Sequence, residues 1–329
     1  MIRINIPGFY DYDGGGPRWG DCQIVDDGKF VDVIDGYCGT GATRLIERLK
    51  ARDIRNVYLH ISHAHYDHYN GIERMIDDDF FKVNALYCYD PKTLNEKFSD
   101  ECADNVKALK RIISKAENRG IEVIFLQNGD KIIHGDIEIE VYRNQPEKAD
   151  NTDAYINNGS LCYWFPKLRY LTTGDAGLEC AVENDLHPVL VKGGHHGNDF
   201  INKVATWLWE HGCRFYWDND YSTSLNDFLR TGRRHAVNLG MGVMGVHGDI
   251  NIVAYNGTVV MFKGGEVRTY DCEYNGASPL KHANLAIVKS VLKGTLGKGD
   301  ARITNLLDLG YYPTSVQNQI NELYKLIKG

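Results

Sequence analysis

The stretch Val57-Tyr58-Leu59-His60-Ile61-Ser62-His63-Ala64-His65-Tyr66-Asp67-His68 decides how this chain is read. Residues 57–61 form a short apolar run of β type, and Ser62 ends it. A His-rich loop is expected to follow. His63, His65, His68 and Asp67 cannot all pack as core, because each buried ring or carboxylate needs a hydrogen-bond partner or a metal. Imidazole nitrogen and carboxylate oxygen together suit Zn or Mn. A tight loop can aim such side chains at two adjacent ions, His63 and His65 at one, Asp67 and His68 at the other.

On the amino-terminal side, Gln23–Val25 and Phe30–Ile34 flank Asp26-Asp27-Gly28, a hairpin signal. Thr43–Arg52 carries Leu45, Ile46 and Leu49 at helical spacing. On the carboxyl side, 104–118 reads as an amphipathic helix stopped by Gly120. Strands are expected at 122–126, 137–142, 160–165, 170–172, 189–191 and 214–217, a helix at 199–211, and a hairpin near 250–262. Alternation of strands with helices predicts a layered α/β protein.

The chain has 329 residues, about two domains' worth. Its formal net charge of −7 excludes a global basic field for gripping nucleic acid. No apolar run approaches the ~20 residues that span a bilayer, so no membrane role is expected. Residues 1–16 do not read as a signal peptide, which predicts a cytoplasmic location. The 8 Cys form no C-x-x-C pair and read as reduced core thiols.

Residues 63–68 match the HxHxDH signature of the metallo-β-lactamase superfamily, and further elements follow in the family's order. Val33-Ile34-Asp35-Gly36 resembles the acidic end of its first strand pair, and Gly71 its small residue after the signature. Tyr170-Leu171-Thr172-Thr173-Gly174-Asp175 resembles the strand whose Asp bridges two metals. Val189–Gly197 supplies the last His. Asn157-Asn158-Gly159-Ser160-Leu161 occupies the place where many members carry another His. With Asp175 and His195-His196-Gly197, that element resembles the branch holding the hydrolase-like domain of DNA-uptake competence proteins and the phosphorylcholine esterases of teichoic acid.

The resemblance implies an αββα sandwich over 1–273 and two divalent ions, Zn or Mn. It implies His63, His65 and Asp175 on one ion and Asp67, His68, Asp175 and His196 on the other. Consecutive side chains diverge, so only one of His195 and His196 is expected to reach a metal. The resemblance favours His196 as ligand and His195 as a catalytic group facing a substrate phosphate. Asn158, Ser160 and, at the rim, His247 are the expected substrate contacts. A water between two cations has its pKa lowered towards neutrality, and Asp67 both binds metal and orients the hydroxide.

After a turn-rich linker at 274–279, residues 280–329 predict three short helices. Ile287, Val288, Val291 and Leu292 stripe the first, Ile303, Leu306 and Leu307 the second, and Val316, Ile320 and Leu323 the third. Gly294, Gly297-Lys298-Gly299, Arg302 and Val316-Gln317 with Ile320-Asn321 resemble the cell-wall-binding repeat of phage endolysins. That implies peptidoglycan or a muropeptide as partner, with Arg302 at the ligand and release by lysis as the route to the wall. Two further clusters have plain readings. Trp207, Trp209, Phe215–Trp217 and Tyr221 read as a strand packed on a helix rather than a choline cage. Arg230, Arg233, Arg234 and His235 read as a solvated basic loop rather than a phosphate grip.

The function these elements predict is a metal-dependent phosphodiesterase acting on wall polymer such as teichoic acid. A nuclease or nucleotide phosphodiesterase, with nucleic acid as partner, is the alternative. A non-catalytic wall-binding protein is the third reading, and the complete ligand set argues against it.

Overall fold

The computed structural model describes residues 1–8, 20–94, 100–144, 152–197, 200–218, 232–245, 249–263, 266–276, 281 and 283–328. Its strands form two sheets. One runs β16 (Glu266–Asp271), β15 (Thr258–Lys263), β14 (Ile250–Tyr255), β1 (Ile2–Ile6), β2 (Gln23–Asp26), β3 (Val31–Ile34), β4 (Asn56–His60), β5 (Lys82–Cys88), β6 (Glu122–Phe125). The other runs β13 (Gly242–Gly245), β12 (Phe215–Asp218), β11 (Leu190–Lys192), β10 (Tyr170–Thr172), β9 (Leu161–Phe165), β8 (Ile137–Arg143), β7 (Lys131–His134). Pairing is parallel from β3 to β6 and from β10 to β13, and antiparallel elsewhere.

Strand alternation divides each run between two faces. Leu190 and Trp217 join one core cluster, which takes in both faces of the larger sheet, whereas Val191 and Tyr216 join a second on the opposite face of the smaller sheet. Helices α1 (Gly39–Ala51), α2 (Tyr66–Asp77) and α3 (Asp100–Asn118) pack Leu45, Ile72 and Leu109 into the first core. The second core takes Cys180 from α5 (Glu179–Glu183), which follows the short α4 (Thr152–Asn158). It also takes Leu208 from α6 (Asn202–Glu210) and Ala236 from α7 (Gly232–Asn238). Helix, sheet, sheet, helix: the architecture is the αββα sandwich.

The expected His-rich loop is shorter than the sequence implies, because α2 begins at Tyr66 and takes Asp67 and His68 into its first turn. Tyr69, Ile72, Met75 and Ile76 supply its buried stripe, and Asp67 suits the positive end of the helix dipole. The cysteines described are free thiols, nearly all buried. No helix among the described residues is long and apolar enough to cross a membrane.

Between the sheets lies a buried polar knot. Asp32 Oδ1 accepts from His60 Nε2 (2.7 Å) and His134 Nδ1 (2.9 Å), and His134 Nε2 meets the Tyr87 hydroxyl at 3.0 Å. Tyr58 stacks on His134, with ring centroids 3.6 Å apart.

The carboxyl-terminal helices are α8 (Leu285–Leu292), α9 (Gly299–Asp308) and α10 (Pro313–Lys328). Ile287, Val288, Val291, Leu306, Val316 and Ile320 form their own small core. Leu292, expected on that stripe, is exposed, since α8 ends there and its side chain falls past the packed face. The opposite face of α9 puts Ile303 and Leu307 against Val253, Val260 and Phe262 of β14 and β15. Asp308 takes ion pairs from Arg3 (2.5 Å) and Arg52 (3.1 Å), and Thr304 donates to Asp249 at 2.6 Å. Of the expected linker, Tyr274 is buried and donates to Asp136, while 277–280 lie outside the described residues.

Candidate metal centre

Four parallel-paired strands end at one place. Asp35 follows β3, Ser62 and His63 follow β4, Asp175 follows β10, and His195 and His196 follow β11. The carboxyl ends of parallel strands are where α/β proteins bind their ligands.

Two close backbone approaches make the convergence feasible. A Cβ on Gly71 would meet the Gly36 carbonyl oxygen at 1.9 Å, so only glycine lets α2 lie against the turn after β3. There Gly36 N donates to the His68 carbonyl (2.7 Å) and Gly71 N to that of Tyr37 (3.1 Å). A Cβ on Gly194 would meet the Ala176 carbonyl oxygen at 1.8 Å, so the turn before His195 is equally committed. His195 and His196 both adopt left-handed backbone, at φ 47° and 53°, an uncommon conformation for side chains of this size. Arg233 braces that turn, donating to the His196 carbonyl (3.1 Å) and to Asp218 Oδ2 (2.8 Å). It is therefore buried structure, not part of a solvated loop; Arg230 and Tyr221 lie outside the described residues.

The cluster itself is tight. His63, His65 and Asp175 offer ligand atoms within 4.8 Å of one another, and so do Asp67, His68 and His196. Asp175 Oδ2 stands between them, 3.8 Å from His63 Nε2, 3.3 Å from His68 Nε2 and 3.6 Å from His196 Nε2. Asp67 Oδ2 lies 3.3 Å from His196 Nε2 and 3.9 Å from His68 Nε2.

Surrounding groups fix each ring. Asp35 accepts from Ser62 N (2.8 Å), Ser62 Oγ (2.7 Å) and His68 Nδ1 (2.9 Å), which leaves His68 Nε2 facing the cluster. Because the Ser62 hydroxyl proton goes to Asp35, its oxygen is free to accept from His63 Nδ1 at 3.1 Å. That places the His63 Nε2 lone pair in the cluster, 3.0 Å from His65 Nδ1 and 3.8 Å from Asp175 Oδ2. Burial, with the charge of His68 beside it, holds His63 well below the usual imidazole range, so it is neutral. For His196 burial opposes protonation, but Asp175 and Asp67 outweigh it and raise the imidazole to about 9. Asp67, despite burial, is lowered to about 2 by the charge of His68 and the hydrogen bond from His196.

His196 is the member of the pair in the cluster. The His195 ring lies 6.2 Å from it, half-buried, and joins no candidate ligand group among the described residues. Ser160 is buried and accepts from Asp175 N at 3.3 Å, so it supports the Asp175 turn. Asn158 is half-buried at the end of α4. His247 lies outside the described residues. Arg302 is on α9, where it donates to Gln317 Oε1 at 3.2 Å. The aromatic concentration is the expected strand on a helix, with Tyr216 and Trp217 buried in β12 and Trp207 stacked on His211.

Two residues at the site were not singled out from the sequence. Asp21, just before β2, and Lys192, the last residue of β11, form a buried ion pair against the cluster. The readable signal was a lysine closing the apolar run Val189-Leu190-Val191.

The donors fit divalent metal. His68 Nε2 is buried without a hydrogen-bond partner, an arrangement that costs free energy unless a cation completes it. Nitrogen and carboxylate oxygen are ligands for Zn or Mn.

No protein-family model matches the chain, and no curated protein does. Solved structures similar to it include YhfI, a metallo-β-lactamase fold protein from Bacillus subtilis. It shares 14% identity over 74% of this chain and 96% of that one, with a TM-score of 0.46. Igni18, a metallo hydrolase from the archaeon Ignicoccus hospitalis, shares 12% over 82% of this chain and 99% of its own, at 0.46. A diphosphatase of the PhnP family shares 12% over 77% and 98%, at 0.45. What this chain's own geometry shows is an αββα architecture with a His and Asp cluster at its strand ends.

Proposed function

We propose that the protein is a dinuclear metal-dependent hydrolase, a phosphodiesterase whose substrate is a wall polymer of the teichoic acid class. One observation carries the reading: His63, His65, Asp67, His68, Asp175 and His196 meet as two ligand groups that share a single carboxylate. His63, His65 and Asp175 would hold one ion, and Asp67, His68, Asp175 and His196 the other. Two such ions, Zn or Mn, supply a water of lowered pKa and stabilise charge on a phosphoryl group. Asp67, the most exposed carboxylate of the cluster at 25%, orients the attacking water by accepting its hydrogen bond. His195 would hydrogen-bond a phosphoryl oxygen and, in its protonated form, donate that proton to the leaving alkoxide. Residues 280–329 would bring the hydrolase to peptidoglycan, with Arg302 as their contact.

The test uses full-length protein loaded with Zn or Mn. Bis-p-nitrophenyl phosphate and p-nitrophenylphosphorylcholine should be hydrolysed, and chelation should stop both. Cleavage of single-stranded DNA alone would transfer the assignment to the nuclease reading. Two bound equivalents of metal with no phosphodiester cleaved would leave a metal protein of another chemistry.

A further inference from the structure

Lys192 is fully buried at the end of β11, and its ammonium sits among carboxylates. It pairs with Asp21 Oδ2, lies 3.8 Å from Asp175 Oδ1, and donates to the Gly174 carbonyl at 2.6 Å. A buried lysine is costly unless anions compensate it. Here the compensation is shared by two side chains that touch the cluster. Asp175 therefore has its two oxygens divided: Oδ1 faces Lys192, and Oδ2 faces the three imidazoles. Asp21 is divided likewise. Its Oδ2 meets Lys192, and its Oδ1, buried and without a hydrogen bond, lies 3.9 Å from His196 Nδ1.

A parallel within the site gives this meaning. His68 turns Nε2 into the cluster and gives Nδ1 to Asp35. His196 turns Nε2 into the cluster and Nδ1 towards Asp21, at ion-pair rather than hydrogen-bond distance, and Asp21, Asp175 and His196 themselves offer ligand atoms within 4.8 Å of one another. A carboxylate behind a ligating histidine fixes ring orientation and raises ligand basicity. We propose that the Asp21–Lys192 ion pair is a positioning device for the metal centre, Asp21 orienting His196 and Lys192 committing Asp175 to present one oxygen. The ammonium is a resident cation: it holds the carboxylates together before any metal arrives, so the ligands do not have to be gathered against their own repulsion. The proposal rests on the metal-hydrolase reading.

The experiment measures Zn and Mn affinity by competition with a chromophoric chelator, and melting with and without chelator. The proteins are wild type, Asp21→Asn, Lys192→Met and the double variant. Wild type should bind both ions. Each single variant should lose about 10–100-fold in affinity, the scale of removing a carboxylate behind a metal-bound histidine. Lys192→Met should also melt lower without metal, because Asp21 and Asp175 are left uncompensated. The double variant separates positioning from mere stability: its melting temperature should recover while its affinity stays low. If folded Asp21→Asn and the double variant bind metal as wild type does, the positioning role is wrong and the hydrolase reading survives. Wild type that takes up neither ion overturns both.

Discussion

Asp32 shows what one residue does in this core. It is fully buried, and its environment lowers its pKa: burial pushes the carboxyl up, but hydrogen bonds from His134 and His60 outweigh it. A depressed folded value means stability that is present above the unfolded pKa of about 3.9 and lost as pH falls through the folded value. Asp32→Ala should cost about 3 kcal/mol in urea at pH 7, because two buried imidazoles lose their shared acceptor. The gap between variant and wild type should close in acid, below about pH 4. A gap that stays constant down to pH 3 would show that shape, not charge, is what Asp32 contributes. The adjacent histidines give a second residue-scale prediction. His196→Ala should lower metal content, measured by elemental analysis, while His195→Ala should leave it intact and slow phosphodiester turnover. Equal metal loss in both would remove the division of labour proposed for them.

At the scale of elements, the sequence was most legible where one short-range pattern decides the outcome. Tyr170–Thr172 is a strand of those same limits, and the three terminal helices form where expected, with Leu292 off the packed stripe and the Leu323 side chain outside the described residues. The start of α2 was hidden because Tyr66-Asp67-His68 reads as polar loop until the stripe from Tyr69 to Ile76 is counted with it. Strands β1, β5, β7, β13 and β16 are absent from the expected set; in β16 every residue is at least partly exposed, which blurs the alternation. Asp21 and Arg233 were illegible for another reason. Their partners, Lys192 and Asp218, are distant in sequence, and no local pattern records such a pairing. Helix α9 carries a prediction of its own, because it faces both ways. Leu307→Ala should cost about 2–4 kcal/mol, as for a leucine at a packed interface. All 5 tryptophans precede the terminal helices, so Trp fluorescence reports the sandwich alone. If α9 couples the parts, fluorescence and far-ultraviolet circular dichroism should unfold at one midpoint. Two midpoints would mean that residues 280–329 fold independently.

For the whole molecule, the terminal helices complete the outer layer over β14 and β15 as well as adding a surface of their own. A chain ended at Ser278 keeps every proposed ligand but uncovers Val253, Val260 and Phe262, and leaves Asp249 without Thr304. It should still bind metal and cleave a small phosphodiester, yet melt lower and aggregate on warming. Full-length protein should sediment with Gram-positive wall sacculi, the shortened chain should not, and Arg302→Ala should weaken the binding without changing small-substrate rates. Sedimentation of the shortened chain to the same extent would confine the terminal helices to a structural role. The register of the large sheet bears on the order in which the molecule can be made. Ile4 stands opposite Ile252, so the first strand of the chain lies between its immediate successor and a strand from near the end of the sandwich. During synthesis Ile2–Ile6 can pair on one side with residues 24–26, but its other edge waits until 250–255 have emerged. Until those residues emerge, an unfinished chain carries an open, apolar strand edge, the kind of edge that recruits other chains. Folding of this molecule is closed by its last strands, and its rate should be slow, set by that long-range pairing rather than by its helices.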